Sequence, residues 1–264
     1  MMETMVIQLV IEIFGFATYN YIIIVMGKFH PPAFIEPFSL FWWQCIIMVI
    51  LVITIVVRAP LHFKKIDPKT YANFIALFFG INYIVENYYV YSTGYWNLQQ
   101  NLPAHLCSIS YFLCIITLIN YRQWLAECLY YWGLAGGIQS LLTPEFTVGM
   151  EGYNFYAYFI DHGGMLLVIT YMIVHLKFVP RPKSWLWVLG YTQLVAIGVA
   201  IVNYTVGANY MYLSAKPEVS NPLVIGEWPY YILVLELVVF IHFWILYLPF
   251  AKKNKQALKA PLSS

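Results

Sequence analysis

Charged side chains are scarce in this sequence of 264 residues: Asp, Glu, Lys and Arg make up 10%, whereas 61% of the residues are hydrophobic. A typical soluble domain carries about 25% charged residues, and this chain has a mean hydropathy of +0.69. Several apolar runs reach the roughly 20 residues that a helix needs to cross a bilayer. The composition therefore excludes an ordinary soluble enzyme and predicts an all-α, polytopic transmembrane helix bundle.

The cysteine spacings and basic clusters that mark other protein classes are also missing. The four cysteines, Cys45, Cys107, Cys114 and Cys128, have neither metal-ligand nor disulfide-scaffold spacing. The net charge is only +2 and no basic patch is present, so we expect no nucleic-acid partner. No basic stretch followed by a cleavage site opens the chain, and we expect residues 1–27 not to be a removed signal peptide.

Seven apolar stretches are predicted to cross the membrane. They cover residues 39–57, 71–91, 102–120, 124–143, 154–178, 185–209 and 229–250. Residues 5–27 are predicted to form an extra N-terminal helix, and Glu12 in its middle leaves open whether that helix spans. No connection is long enough to hold a second domain. We therefore expect one integral membrane domain over 1–264, with its core at 37–250 and a basic tail at 251–264.

Basic residues lie mostly on one side of the predicted bundle. Of these seven spans, the first and second, and the fifth and sixth, are joined by connections that hold basic residues. Together with the residue after the third span and those of the tail, these connections account for twelve of the 14; only Lys28 and Lys216 fall on the other side. The positive-inside rule then makes the tail cytoplasmic. It also places Cys107 toward the extracytoplasmic side of a cell membrane.

Polar residues of the spans concentrate in the half that is predicted to face outward. The candidates for functional roles in that half are Glu86, His105, Cys107, Ser108, Gln139, Asp161, His162, Asn203, Asn209, Tyr210 and Glu236. Ionisable groups inside a membrane are costly and mark functional sites. Their shared depth predicts a polar cavity that opens toward the outside.

Cys107 is the candidate nucleophile of this cavity. Pro103 suits the first turn of a helix, so we expect a helix from Leu102 that places Cys107 just inside the membrane boundary. His162, from a later span, is the candidate general base, since a Cys–His pair supplies the thiolate that attacks an acyl carbonyl. His105 is less suited because it lies about 200° round the same helix.

The remaining candidates are assigned to supporting roles. Asp161, Glu86 or Glu236 is expected to orient or charge His162. Asn203, Asn209 and Tyr210 are expected to stabilise the oxyanion, while Ser108 and Gln139 are candidates for supporting or substrate-binding roles.

Three other interpretations stay open. Cys107 could be a small packing residue, or it could form a disulfide with Cys45. The protein could also be a metal-dependent hydrolase whose ligands are His105, His162, Asp161 and either Glu86 or Glu236. No His pair, however, has the i,i+4 spacing of a helical zinc site. A non-enzymatic transporter or lipid-binding protein is the third, and the scarcity of polar residues in the inner halves counts against transport.

Several motifs resemble the YwaF-like bacterial integral membrane family. They are Leu-Pro-Ala-His-Leu-Cys at 102–107, Tyr-Trp-Gly-Leu-Ala-Gly-Gly-Ile-Gln-Ser-Leu-Leu-Thr-Pro at 131–144, His-Gly at 162–163, Val-Asn-Tyr-Thr-Val-Gly-Ala-Asn-Tyr-Met-Tyr-Leu at 202–213, Trp-Pro-Tyr-Tyr at 228–231 and Tyr-Leu-Pro-Phe at 247–250. The resemblance covers about residues 37–250.

That family is similar to an animal multi-spanning acyltransferase that moves polyunsaturated acyl chains onto lyso ether phospholipids. It is more distantly similar to androgen-induced membrane hydrolases of fatty acid esters. In the acyltransferase, a membrane cysteine and a histidine on a later span are thought to be the working pair, and Cys107 and His162 match them here. The resemblance implies a lipid acyltransferase or acyl-ester hydrolase that acts on membrane lipids, with a lysophospholipid and an acyl donor lipid as partners. We expect no cofactor if the acyl donor is itself a phospholipid, and the leading hypothesis has no metal.

Overall fold

The computed structural model describes residues 33–62, 67–146, 149–217 and 224–259. These residues form seven helices: α1 (Leu40–His62), α2 (Pro68–Ser92), α3 (Leu106–Ile119), α4 (Gln123–Leu142), α5 (Tyr153–His175), α6 (Ser184–Val206) and α7 (Tyr230–Lys259). Two short strands, β1 (Ala33–Phe34) and β2 (Glu145–Phe146), pair antiparallel, and a 3₁₀ turn covers Tyr210–Tyr212. The predicted all-α bundle is confirmed. The predicted helix at 5–27 lies outside the described residues.

Four of the helices in the described part of the chain are long and apolar enough to cross a membrane: α1, α5, α6 and the Tyr230–Ala251 part of α7. At 1.5 Å of rise per residue, the 23 residues of α1 extend about 35 Å. By contrast, α3 has only 14 residues and extends about 21 Å. The predicted span at 102–120 is therefore wrong in its first part, where the chain is not helical.

Consecutive helices run in opposite directions because the connections between them are short. Near the start of α1, the Trp42 indole N–H donates to the carbonyl of Leu141 at the end of α4, at 2.9 Å. Helices α1, α3, α5 and α7 thus begin at one end of the bundle, which we call the Cys107 end. Helices α2, α4 and α6 begin at the opposite end.

Helix α5 is the centre of the bundle and packs against α1, α2, α3 and α4. Its contact with α4 is close because glycines of α4 face it. A Cβ atom on Gly133 would lie 2.9 Å from the side chain of Ile169, and one on Gly137 would lie 3.1 Å from the carbonyl oxygen of His162. Because glycine has no side chain, these positions of α4 allow the two helices to approach closely.

Polar contacts hold the helix ends opposite Cys107. The buried Glu127 carboxylate of α4 accepts hydrogen bonds from the Arg181 guanidinium at 2.7 and 3.0 Å and from the Arg181 backbone N–H at 2.7 Å. Asp67 caps α2 by accepting from the Thr70 N–H at 2.9 Å. The hydrogen bonds from Thr70 lower the pKa of Asp67. The Lys69 ammonium donates to the last carbonyls of α3, those of Leu118 and Ile119.

Candidate functional site

Helix α3 begins at Leu106 rather than at Leu102, so the prediction that Pro103 lies in its first turn is wrong. Proline disfavours the helical conformation of the residue before it. The segment is instead held by the Leu102 N–H, which donates to the Tyr210 hydroxyl at 2.8 Å, and by the Ala104 N–H, which donates to the Leu102 carbonyl at 2.7 Å. Cys107 consequently lies in the first turn of α3, where backbone N–H groups have no partner within the helix.

The Cys107 thiol is partly buried against α4. A Cβ atom on Gly136 would lie 2.8 Å from its sulfur, so this glycine makes the space that the sulfur occupies. The hydroxyls of Tyr158 and Tyr212 and the carboxyl group of Asp161 lie close enough to interact with the thiol electrostatically. Cys107 also packs against the main hydrophobic core, so its surroundings are partly polar and partly apolar.

His162 is held in one tautomer by its own helix. Its Nδ1 lies 2.9 Å from the Tyr158 carbonyl oxygen, one turn earlier in α5, and its ring centroid lies 4.4 Å from that of Tyr158. A carbonyl only accepts, so Nδ1 carries the hydrogen and Nε2 of the neutral ring has the free lone pair. This is the tautomer that a general base needs.

Cys107 and His162 flank the same turn of α4. Gly136 faces the thiol and Gly137 faces the His162 backbone. The hydrogen bonds of the described residues include none between the Cys107 sulfur and the imidazole; catalytic hydrogen bonds are often long before substrate binds. The two predicted residues are thus brought to one region of the bundle from two different helices.

Tyr158 also connects this region to the loop between α4 and α5. Its hydroxyl donates to the Ser140 carbonyl at 2.8 Å and accepts from the Glu145 N–H at 3.3 Å. Burial raises the pKa of Glu145, and burial also raises the pKa of the Tyr212 phenol in the turn after α6.

Asn82 of α2 is the centre of a polar network beside this pair. Its amide N–H₂ donates to the Tyr111 hydroxyl at 3.0 Å and to the Asp161 carboxylate at 3.2 Å, and its oxygen accepts from the Tyr153 hydroxyl at 2.6 Å. Glu86 is hydrogen-bonded to Asp161. Two carboxyl groups can share a hydrogen bond only if one of them carries a proton.

The network lines a polar pocket of about 130 Å³ at the Cys107 end. Its lining includes Glu86, Asn87, Pro103, Ser108, Tyr111 and Asp161. Ser108 follows the candidate nucleophile and Asp161 precedes the candidate base in the sequence, whereas Cys107 and His162 themselves do not line the pocket. A polar cavity is therefore present where the sequence places its polar residues.

Three predicted oxyanion donors instead hold the loop that follows α6. The Asn203 amide bonds to both the N–H and the carbonyl of Tyr210, at 2.8 and 2.9 Å. The Tyr210 hydroxyl donates to the Leu98 carbonyl, and the Asn209 amide N–H₂ donates to the Ala215 carbonyl, at 2.8 Å in both cases. These donors are occupied, which gives the three residues a structural role in place of the predicted one.

His105 contacts the same loop rather than a partner in the pocket. Its Nδ1 accepts from the Met211 N–H at 3.3 Å, and its ring packs edge-on against Tyr210. Met211 and Tyr212 both have φ of 55°, in the left-handed region that non-glycine residues rarely adopt. The turn over the start of α3 is thus strained, as is common at functional sites.

Glu236 is not part of the site, and the prediction that it orients His162 is wrong. Its carboxylate accepts from Gln193 at 2.8 Å in a separate groove between α6 and α7. Gln139 makes a local bond to the Thr143 hydroxyl at 3.2 Å. All four cysteines are free, so Cys45 and Cys107 form no disulfide. Across the described ranges, no group of three or more His, Cys, Asp and Glu is arranged to hold a metal ion.

Sequence reasoning missed the Tyr158 carbonyl, Asn82 as a hub and the glycine contacts. The spacing of Tyr158 and His162, four residues on one helix, was a usable signal for the first. The partners of Asn82 come from two other helices, so local spacing could not identify them.

A bundle in which four helices of the described residues are long and apolar enough to cross a bilayer is that of a polytopic membrane protein. The TMEM164 family model matches residues 26–247, which is most of the chain, and the protein belongs to the TMEM164 family. Comparison with curated proteins and with solved structures gave no match.

Proposed function

We propose that this protein is a membrane lipid acyltransferase in which Cys107 is the nucleophile and His162 is the general base. The observation that carries the proposal is that consecutive glycines of one α4 turn face the Cys107 sulfur and the His162 backbone, with Nδ1 of His162 bonded to the Tyr158 carbonyl. That bond leaves Nε2 as the nitrogen able to take a proton. Asp161 precedes His162 and lines the adjoining pocket.

The reaction proceeds in two balanced steps. Nε2 of His162 takes the proton from the Cys107 thiol, and the sulfur attacks the ester carbonyl of a donor lipid. A carbon–sulfur bond forms, the carbon–oxygen ester bond breaks, and the proton passes to the departing alkoxide, which leaves as a lysolipid hydroxyl. An acceptor hydroxyl then reverses these steps and takes the acyl group from the sulfur.

The first turn of α3 supplies the electrostatic support. The N–H groups of Leu106, Cys107 and Ser108 are unused within the helix and lie beside the reacting sulfur. They stabilise the oxyanion and the thiolate. The carboxyl pair of Glu86 and Asp161 faces the pocket and binds the hydroxyl of the acceptor. When water takes the place of that acceptor, the same intermediate gives ester hydrolysis.

The partners of this reaction are membrane lipids. An esterified donor lipid already contains the acyl group in a transferable form, so no cofactor is required. The bias of basic residues favours a cytoplasmic tail and places the Cys107 end on the extracytoplasmic side of the cell membrane. We propose a single integral domain with this site at one end.

A direct test uses the purified protein in vesicles with a radiolabelled phosphatidylcholine donor and a lysophospholipid acceptor. We expect label on the protein that hydroxylamine releases, as it does from a thioester, and label in the acceptor lipid. Both signals should disappear in Cys107→Ala. In His162→Ala the rate of protein acylation should fall by about a hundredfold or more, as expected when a general base is removed.

Cys114→Ala is the matched control, because this second cysteine of α3 is fully buried in the core. It should retain both signals. Acyl transfer that persists in Cys107→Ala at the wild-type rate would remove the thiol mechanism.

A further inference from the structure

An apolar groove runs between α1 and α2, with α5 as its floor. Both helices approach α5 at consecutive glycines: a Cβ on Gly163 would lie 3.0 Å from Val49 of α1, and one on Gly164 would overlap the ring of Phe79 of α2. The two close approaches leave between them a groove of about 440 Å³. That volume is within the range of small-molecule sites.

The lining of this apolar groove excludes charged and hydrated ligands. It consists of aliphatic and aromatic side chains such as Met48, Val52, Phe78 and Leu167, with Gln44 as its one amide. No Lys, Arg, Asp, Glu or His contributes to it. A charged ligand would lose its hydration without gaining a partner.

The polarity of the apolar groove changes along its length. Gln44 and Tyr156 line it near the starts of α1 and α5, at the Cys107 end. Ile53 and Leu167 line the far end. The intervening residues extend about 14 to 17 Å along the helix axes, parallel to the chains of surrounding lipids. A long apolar channel with polar groups at its membrane-surface end matches the chemistry of an esterified acyl chain.

We propose that the apolar groove binds one acyl chain of a membrane phospholipid, with the ester region at Gln44 and Tyr156. A free fatty acid is disfavoured because its carboxylate would find no cation in the lining. Neither Cys107 nor His162 lines the groove, and by helical periodicity His162 lies about 115° round α5 from the centre of the lining residues. The Phe79 ring lines the groove, while its carbonyl accepts from the Tyr111 hydroxyl of the polar pocket. This lipid site is therefore separate from Cys107 and goes beyond the proposed reaction.

The test is photolabelling of the protein in phosphatidylcholine vesicles that contain a small fraction of phosphatidylcholine with a diazirine in one acyl chain. Peptide mapping should place the cross-links on α1 and α5 residues of the groove. Val52→Trp fills the groove, and we expect those cross-links to fall about tenfold, which corresponds to about 1.4 kcal/mol of binding free energy. Met48→Trp fills it from a neighbouring turn and should have the same effect.

Ile55→Trp is the matched control, because this residue of α1 is 66% exposed and does not line the groove. It should leave the cross-links unchanged. Cys107→Ala should also leave them unchanged, which separates this site from the acyl-transfer mechanism. Equal labelling of the groove in wild type and in both filled variants would overturn the proposal. Stronger labelling by a diazirine fatty acid than by the phospholipid would do the same.

Discussion

Gly136→Ala tests the site through a single added carbon. The new Cβ would lie 2.8 Å from the Cys107 sulfur, and no other atom of the described residues outside its own helix lies within 4 Å of it. Ordinary contacts begin at 3.4 Å, so the sulfur must move by more than half an ångström. Displacements of about 1 Å in a reacting group cost on the order of a hundredfold in rate. We expect acyl transfer to fall by about ten- to a hundredfold.

The stability of the Gly136→Ala variant should change much less than its activity. Alanine gains about 1 kcal/mol over glycine in a helix, and the overpacked contact costs about 1–3 kcal/mol. The net loss is therefore between about zero and 2 kcal/mol. Thermal melting, the rate of Cys107 alkylation by an iodoacetamide probe, and acyl-transfer rates measure the three effects separately.

Gly198→Ala is the control for this prediction, because a Cβ there meets no atom within 4 Å. It should gain stability through helix propensity and keep full activity. If Gly136→Ala behaved like Gly198→Ala in alkylation and transfer, the inferred position of the sulfur would be wrong.

Three further predictions concern the frame of the bundle. Arg181→Ala leaves the buried Glu127 carboxylate without its guanidinium partner. Chemical denaturation should show that the free energy of unfolding falls by about 2 kcal/mol, which is less than for fully buried pairs because Arg181 is half exposed. Adding Glu127→Gln should restore part of this loss. Asn82→Ala removes three hydrogen bonds of about 1 kcal/mol each, so the melting temperature and the transfer rate should fall together. The pKa of Asp67 is lower in the folded protein than its value of 3.8 in the unfolded chain. The Asp67 carboxylate therefore stabilises the fold above pH 3.8, and this stabilisation is lost as the pH falls through the pKa of the folded state. Melting temperatures of wild type and Asp67→Asn should differ at pH 7 and converge in acid.

The helices were predictable because hydrophobic length alone indicates them. The span predicted at 154–178 corresponds to α5 at Tyr153–His175. The start of α3 was not predictable, since the hydroxyl that holds Leu102 belongs to Tyr210, 108 residues later. Local sequence gives a proline at position 103, but only the tertiary contact decides whether it lies inside or before the helix.

The position of each site residue along its helix was predictable, whereas the direction in which its side chain points round the helix was not. Rise per residue places Glu236 and Glu86 in the same half of the bundle. Packing then turns Glu86 toward Asp161 and Glu236 toward Gln193 on another surface. Asn203 shows the same limit, because its partner Tyr210 lies beyond the end of its helix.

The amide of Asn82 makes the bundle sensitive to sliding. This one side chain of α2 is hydrogen-bonded to Tyr111 of α3 and to Tyr153 and Asp161 of α5 at the same time. A shift of either neighbour by one turn, about 5.4 Å, would break its bonds to the amide together rather than one after another. Any motion that widens the entrance for a lipid headgroup must therefore carry these three helices as a unit, with the remaining helices moving around them.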